Sequence, residues 1–163
     1  MDINSCDKYS IIRISWLYGE LKKNFVTQII QLIKNNTELN VVNDQYSYPT
    51  NNADVRDMLV NILQNVDKGM IGRNVYHYSG FGQVITRYEF AKLIANLYFN
   101  GDSSKYIINP VSSKSYYDHQ IRPMFSALNC NKIYKELNIK PIDWKYSLER
   151  SINNIKINNK YRI

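Results

Sequence analysis

At 163 residues the chain is long enough for one hydrophobic core and too short for two comfortable domains. With 44% hydrophobic and 21% charged residues it has the composition of a soluble globular protein, and no apolar run approaches the length of a membrane span. The net charge of +7 is scattered rather than gathered into a basic helix or an arginine-aromatic stripe, which sets nucleic acid aside as a partner.

The first element is "YSIIRI", a short apolar run ending at Trp16 and an aromatic-glycine turn, as in the buried strands of parallel sheets. "NFVTQIIQLIKNNTE" follows, with Phe25, Ile29, Ile30, Leu32 and Ile33 on one helical face and Asn24 at the N-cap. "LNVVNDQ" reads as a short strand and "YSYPT" as a loop. A helix starts around Asn52, with Val55, Leu59, Ile62, Leu63 and Val66 at helical spacing. After the glycine-punctuated turn "DKGMIGRN" comes the strand "VYHYSG". Thr86 then caps the amphipathic helix "RYEFAKLIANLYF".

"YIINPV" is the next strand, and "SSKSYYDHQIRPMFSALNC" is polar, aromatic and aperiodic, as expected of a binding loop. Two short helices, "NKIYKELN" and "YSLERSINNI", lead to a basic tail from residue 156 that is expected to fray. Strands alternating with helices predict an α/β fold.

Chemistry is sparse. Cys6 and Cys130 share no motif, and two histidines, His77 and His119, cannot build a multi-histidine site, so no metal is expected. "MDINSCDKYS" lacks the basic and apolar regions of a signal peptide, which makes the cytoplasm the expected compartment. A dinucleotide-binding turn needs three spaced glycines before a helix, and Gly80-Phe81-Gly82 has Ile85 where the third belongs. Tyr-x-x-x-Lys, the spacing with which short-chain reductases lower a phenol's pKa, occurs at Tyr18/Lys22 and Tyr88/Lys92. The first pair lies in a strand-exit loop and the second lacks a Ser/Thr partner. Neither is expected to be catalytic.

Trp16 stands at the C-terminal end of its strand, where open α/β sheets bind ligands; its face suits a sugar ring or base, and equally a cap over the core. Trp144 reads as packing. "NDQYSYPT", Asn43 to Thr50, carries more hydrogen-bonding groups than a turn needs and suits a polyhydroxylated or phosphorylated ligand. Arg122 offers a bidentate fork for phosphate, or a surface ion pair.

In order, the chain shows Arg13-Ile14-Ser15-Trp16-Leu17-Tyr18-Gly19, Asn24-Phe25-Val26, Val41-Val42-Asn43-Asp44-Gln45 and Pro49-Thr50. Tyr76-His77, Tyr88-Glu89-Phe90-Ala91, Arg122-Pro123 and Leu128 with Lys132 follow. The set resembles the dTDP-4-dehydrorhamnose reductase family, extended short-chain dehydrogenases of Rossmann type, over residues 9 to 155.

The resemblance implies the C-terminal, substrate-binding half over residues 1–155, residual parallel Rossmann strands with a small α/β substrate-binding domain, and places Trp16 against the deoxysugar. Asn24, Asp44, Gln45, Pro49, Thr50 and Arg122 are the further substrate-binding candidates, and Ser15 is a candidate cofactor contact. In the complete enzyme NADPH reduces dTDP-4-keto-6-deoxy-L-mannose to dTDP-L-rhamnose. The glycine turn and the catalytic Tyr-x-x-x-Lys of the family lie upstream of the tryptophan strand. This chain by itself is therefore expected to bind no NADP(H), to carry no catalytic residue and to be inactive. Its expected partners are a nucleotide-sugar substrate and either the N-terminal half or a second copy. The alternative is a non-catalytic module resembling the regulatory subunit of methionine adenosyltransferase.

Overall fold

The computed structural model describes residues 9–35, 38–64, 73–115 and 122–160. Residues 67–72 of the expected turn "DKGMIGRN", Val66, His119 and Cys6 lie outside them, and the last two residues of that turn, Arg73 and Asn74, are strand instead.

Strand β1 (Tyr9–Ile14) pairs in parallel with β6 (Arg73–Tyr78), Ile12 opposite Tyr76. Strand β3 (Glu38–Val42) pairs in parallel with β8 (Ile107–Val111). Between them lie short pairings that knit the loops together: β2 (Leu17–Tyr18) with β5 (Thr50–Asn51), parallel, and β4 (Tyr46–Ser47) with β7 (Ile85–Thr86), antiparallel.

The helices are α1 (Phe25–Asn35), α2 (Asn52–Gln64), α3 (Arg87–Tyr98), α4 (Asn131–Leu137) and α5 (Trp144–Lys160). The α/β class expected from the alternation of elements is the one observed.

Two apolar clusters result. The larger joins Val26, Ile29, Ile30 and Ile33 of α1 to Phe90, Ala91, Ile94 and Ala95 of α3 and to Trp144, Leu148 and Ile152 of α5. Phe90 is its hub: Tyr18 and Trp144 meet it edge-on at 5.7 and 6.0 Å, and Phe25 stacks on it at 5.8 Å. Trp144 packs as expected, and its indole N–H donates to the carbonyl of Gln83 at 2.9 Å. The smaller cluster joins Val55, Met58 and Ile62 of α2 to Tyr76 and Tyr78 of β6, with Ile133, Ile139 and Ile12.

Asp54 links the two clusters. Its buried carboxylate on α2 accepts hydrogen bonds from Ser147 and Arg150 of α5. The neighbouring Asn51 donates to Ser151 at 2.6 Å.

Three expectations are corrected. Leu32 is exposed, while Val26 takes its place on the buried face of α1. Leu59 and Leu63 of α2 are exposed too, with Met58 buried instead. The last helix runs on through residue 160, because Ile155 is buried and Lys156 donates to Leu97 O and Asn100 Oδ1 at 2.7 and 2.6 Å.

Candidate functional site

A cavity of about 1100 Å³ opens between the exit of β1, helix α1, strand β3 and the start of α3. Trp16, Phe25, Gln45, Arg87, Lys114 and Arg122 are on its wall. Of the sequence candidates, Trp16, Gln45 and Arg122 meet here; Arg87 and Lys114 were not foreseen.

Trp16 has φ 44, a left-handed backbone that a bulky aromatic rarely adopts and that marks a position held from outside. Thr50 does the holding. Its hydroxyl donates to Ser15 O at 2.6 Å and its backbone N–H to Trp16 O at 3.1 Å. The indole neither merely caps the core nor lies bare. It packs on Phe90 at 6.4 Å and carries the Arg87 guanidinium 4.5 Å from its ring centre.

Gln45 is buried, and its side-chain oxygen accepts from Arg87 Nε at 3.0 Å, while its backbone carbonyl accepts from the Arg87 N–H at 3.2 Å. Arg122 lies three residues before Phe125, which makes an isolated parallel bridge to Tyr46 of β4: Tyr46 N–H donates to Met124 O at 2.7 Å and Ser126 N–H to Tyr46 O at 2.9 Å. Desolvation lowers the Arg87 pKa to about 10, and repulsion from Arg122 adds to the effect. Arg87 remains charged at neutral pH. Three cations share this wall, and the carboxylate on it, Glu38, is engaged by Asn109 at 2.8 Å.

The remaining candidates act on the backbone. Asn24 caps α1, accepting from Val26 and Thr27 N–H at 3.0 and 3.3 Å and donating to Gly19 O at 2.9 Å. Asp44 accepts from Ser112 and Ser113, which fixes the turn that carries Lys114; those hydrogen bonds, Ser113's first, hold its carboxyl below the usual range. Pro49 is fully buried, its carbonyl against Gly80. Short polar side chains commonly serve their own backbone in this way. Asn24, Asp44, Pro49 and Thr50 shape the cavity rather than line it.

The two Tyr-x-x-x-Lys pairs sit in different settings. Tyr18 is buried in β2, and Lys22 sits in a turn at φ 61. Lys92 lies over the ring of Tyr88 at 5.5 Å, one helical turn away.

The chain matches the family model "RmlD substrate binding domain" over residues 3–157. It belongs to that family. Among relatives of this RmlD-family chain, the dTDP-4-dehydrorhamnose reductase of Sinorhizobium fredii is 29% identical over 146 residues, 88% of this chain and 49% of that one. The Aggregatibacter actinomycetemcomitans enzyme of the same name is 30% identical over 148 residues, 87% of this chain and 49% of the other. The structure of the Bacillus anthracis dTDP-4-dehydrorhamnose reductase, solved in complex with NADP, superposes with a TM-score of 0.77 at 32% identity, covering 90% of this chain and 48% of that one.

By sequence and structure, then, the chain is dTDP-4-dehydrorhamnose reductase-like, and its structural neighbours are extended short-chain dehydrogenases of Rossmann type. It spans about half the length of the relatives it matches. These comparisons lend nothing to the regulatory-module alternative.

Gly80 and Ser15, the residues considered for a dinucleotide, are engaged within the chain. A Cβ on Gly80 would meet Pro49 O at 2.3 Å and Trp144 Cβ at 2.7 Å, so this glycine admits the chain's own backbone rather than a pyrophosphate. The Ser15 hydroxyl is buried against that of Ser47 at 2.6 Å. Among the described residues no cluster of His, Cys, Asp and Glu could hold a metal ion, and no helix is long and apolar enough to cross a membrane.

Proposed function

We propose that this chain is the substrate-binding half of a sugar-nucleotide ketoreductase and that its cavity receives the nucleotide sugar. The observation that carries this is the wall itself: an indole and a phenyl ring beside three cations, in a cleft large enough for a nucleotide sugar. Aromatic faces suit a sugar or base, and guanidinium forks suit phosphate. In the complete enzyme the reaction is reduction of dTDP-4-keto-6-deoxy-L-mannose to dTDP-L-rhamnose with NADPH. The nicotinamide site and the proton donor come from the N-terminal half.

That half docks on the open face of the β1–β6 sheet. Parallel strands are normally covered on both faces. Here Ile12 and Tyr76 face the smaller cluster, while the residues that alternate with them, Val75 among them, are only partly covered.

Two measurements test the proposal. Titration with dTDP-rhamnose should change tryptophan emission, and Trp16→Phe should remove most of the change; a signal carried wholly by Trp144 counts against the cavity. NADPH oxidation with the keto substrate should stay at background for the chain by itself and appear when the N-terminal half of a relative is added. Turnover by the unaided chain would overturn the division of labour.

A further inference from the structure

We infer that Thr50 is the positioning residue of this cavity, a group that touches no ligand and sets the posture of Trp16, the ring that does. The inference rests on the nucleotide-sugar reading above and adds to it a residue that lies behind the cavity wall.

A bulky aromatic at φ 44 has no local reason to stay there. Position 16 holds neither glycine nor asparagine, the residues that make left-handed backbone cheap. The posture has to be imposed from elsewhere in the chain.

Two peptide groups flank the Trp16 Cα, and their orientations are its φ and ψ. Thr50 holds both. Its hydroxyl donates to Ser15 O at 2.6 Å and fixes the plane before Trp16. Its backbone N–H donates to Trp16 O at 3.1 Å and fixes the plane after it. Any residue but proline could make the main-chain bond. The other needs a hydroxyl on a stiff support, and Thr50 is β-branched, buried and paired with Leu17 in the β2–β5 ladder. Its longer approach to Tyr48 O, 3.5 Å, does not compete for the single hydroxyl proton.

The consequence is felt inside the cavity. Trp16 is on the wall and Thr50 is not, so whatever Thr50 does to a ligand passes through the indole. At φ 44 that ring packs on Phe90 at 6.4 Å and lies 4.5 Å from the Arg87 guanidinium. A return of φ to negative values would swing it away from both. A ring held ready in this way loses little freedom when a ligand arrives.

Calorimetry with dTDP-rhamnose and tryptophan emission, both on the full chain, test the clamp. The forms compared are Thr50→Val, Thr50→Ser, Trp16→Ala and the double variant Trp16→Ala with Thr50→Val, with thermal melts as folding controls. Valine keeps the shape and loses the hydroxyl. Thr50→Val should weaken dTDP-rhamnose about 5- to 30-fold, the factor by which a released left-handed posture is depopulated. Thr50→Ser keeps the hydroxyl and should bind like the wild type. In the Trp16→Ala background Thr50→Val should cost nothing further, since its effect runs through the ring that is gone. The emission of Trp16, taken as each form's difference from its Trp16→Ala counterpart, should shift in Thr50→Val and not in Thr50→Ser. Thr50→Ala, which also lacks the hydroxyl, decides the matter if the valine variant does not fold.

Unchanged affinity in Thr50→Val, or losses that add in the double variant, overturn the role of Thr50 and leave the proposed function standing. An unmoved Trp16 emission in Thr50→Val overturns that role as well. A wild type that does not bind dTDP-rhamnose, while Thr50→Val still shifts the emission, does the reverse: the nucleotide-sugar reading falls and the clamp on Trp16 stands.

Discussion

Helices α1 and α2 each carry an apolar stripe, and the two stripes end differently. On α1, Val26, Ile29, Ile30 and Ile33 are all buried, packed against α3 and β3. On α2, Val55, Met58 and Ile62 are buried, but Leu59, Val60 and Leu63 remain 42%, 45% and 68% exposed. Strands β3 and β8 pack against α3; β6 buries Tyr76 and Tyr78, while no residue of its partner β1 is fully buried. The lobe around Phe90 covers its own core and holds the cavity; the lobe around Tyr76 presents apolar surface on α2. A cavity keeps its shape on rigid support, and this one lies in the lobe that supplies its own.

The largest effect expected from this contrast is at Trp144, which is 1% exposed and touches both Phe90 and Gly80. Trp144→Ala should cost about 3–5 kcal/mol, the range for emptying a large aromatic site in a packed core. Ile12→Ala, in the half-covered strand β1, should cost about 1–2 kcal/mol, below the range for a fully buried isoleucine. Urea melts of the two variants make the comparison; equal losses would erase the distinction between the lobes.

Alkaline pH should act on both lobes. Burial raises the Tyr76 hydroxyl to about 12, and its hydrogen bond to Glu136 and that residue's charge act in the same direction. Its contribution to stability is complete below pH 10 and is lost as pH rises from about 10 to about 12. Tyr78 shifts the same way, again chiefly through burial. Arg87 works oppositely. Its folded pKa of about 10 lies below its ordinary value, so losing the proton above pH 10 relieves a desolvation cost that the unfolded chain does not carry. Tyr18 of the Phe90 lobe is raised by burial as well, so both lobes lose stability in strong alkali. Far-UV circular dichroism against pH, with near-UV tyrosinate absorbance, should show the fold loosening as tyrosinate appears; unfolding that precedes tyrosinate would overturn the assignment.

Much of this was legible in the sequence, and what was missed has physical causes. The α1 and α3 caps could be read because Asn24, and Thr86 with Glu89, act within four residues of their partners. Trp16 could be read from its place at a strand exit. The two-residue strands β2, β4, β5 and β7 could not, since pairing across the chain creates them rather than local propensity. Asn24, Asp44 and Thr50 read as ligand contacts because their chemistry suits either a ligand or the backbone, and spacing does not tell the two apart. Arg87 was hidden inside a helix read for its apolar stripe. Its signal was available: an arginine at the start of a helix opposes the dipole and asks for a reason.

The smallest expected change in stability sharpens the comparison most. Leu59 and Leu63 lie one turn apart on the exposed side of α2, so replacing both with lysine removes no buried contact. Surface changes of this kind usually stay within about 0.5 kcal/mol, and the melt should hardly move. Association should respond instead. If this face is covered by the N-terminal half or by a second copy, two ammonium groups placed on it must be desolvated when the partner docks. Sedimentation velocity of the wild type should show self-association that rises with concentration, and the double variant should sediment as a monomer. Complementation by a relative's N-terminal half should weaken in parallel. A variant that melts, sediments and complements like the wild type would show that α2 faces water by design, and the open lobe would then need no partner on that side.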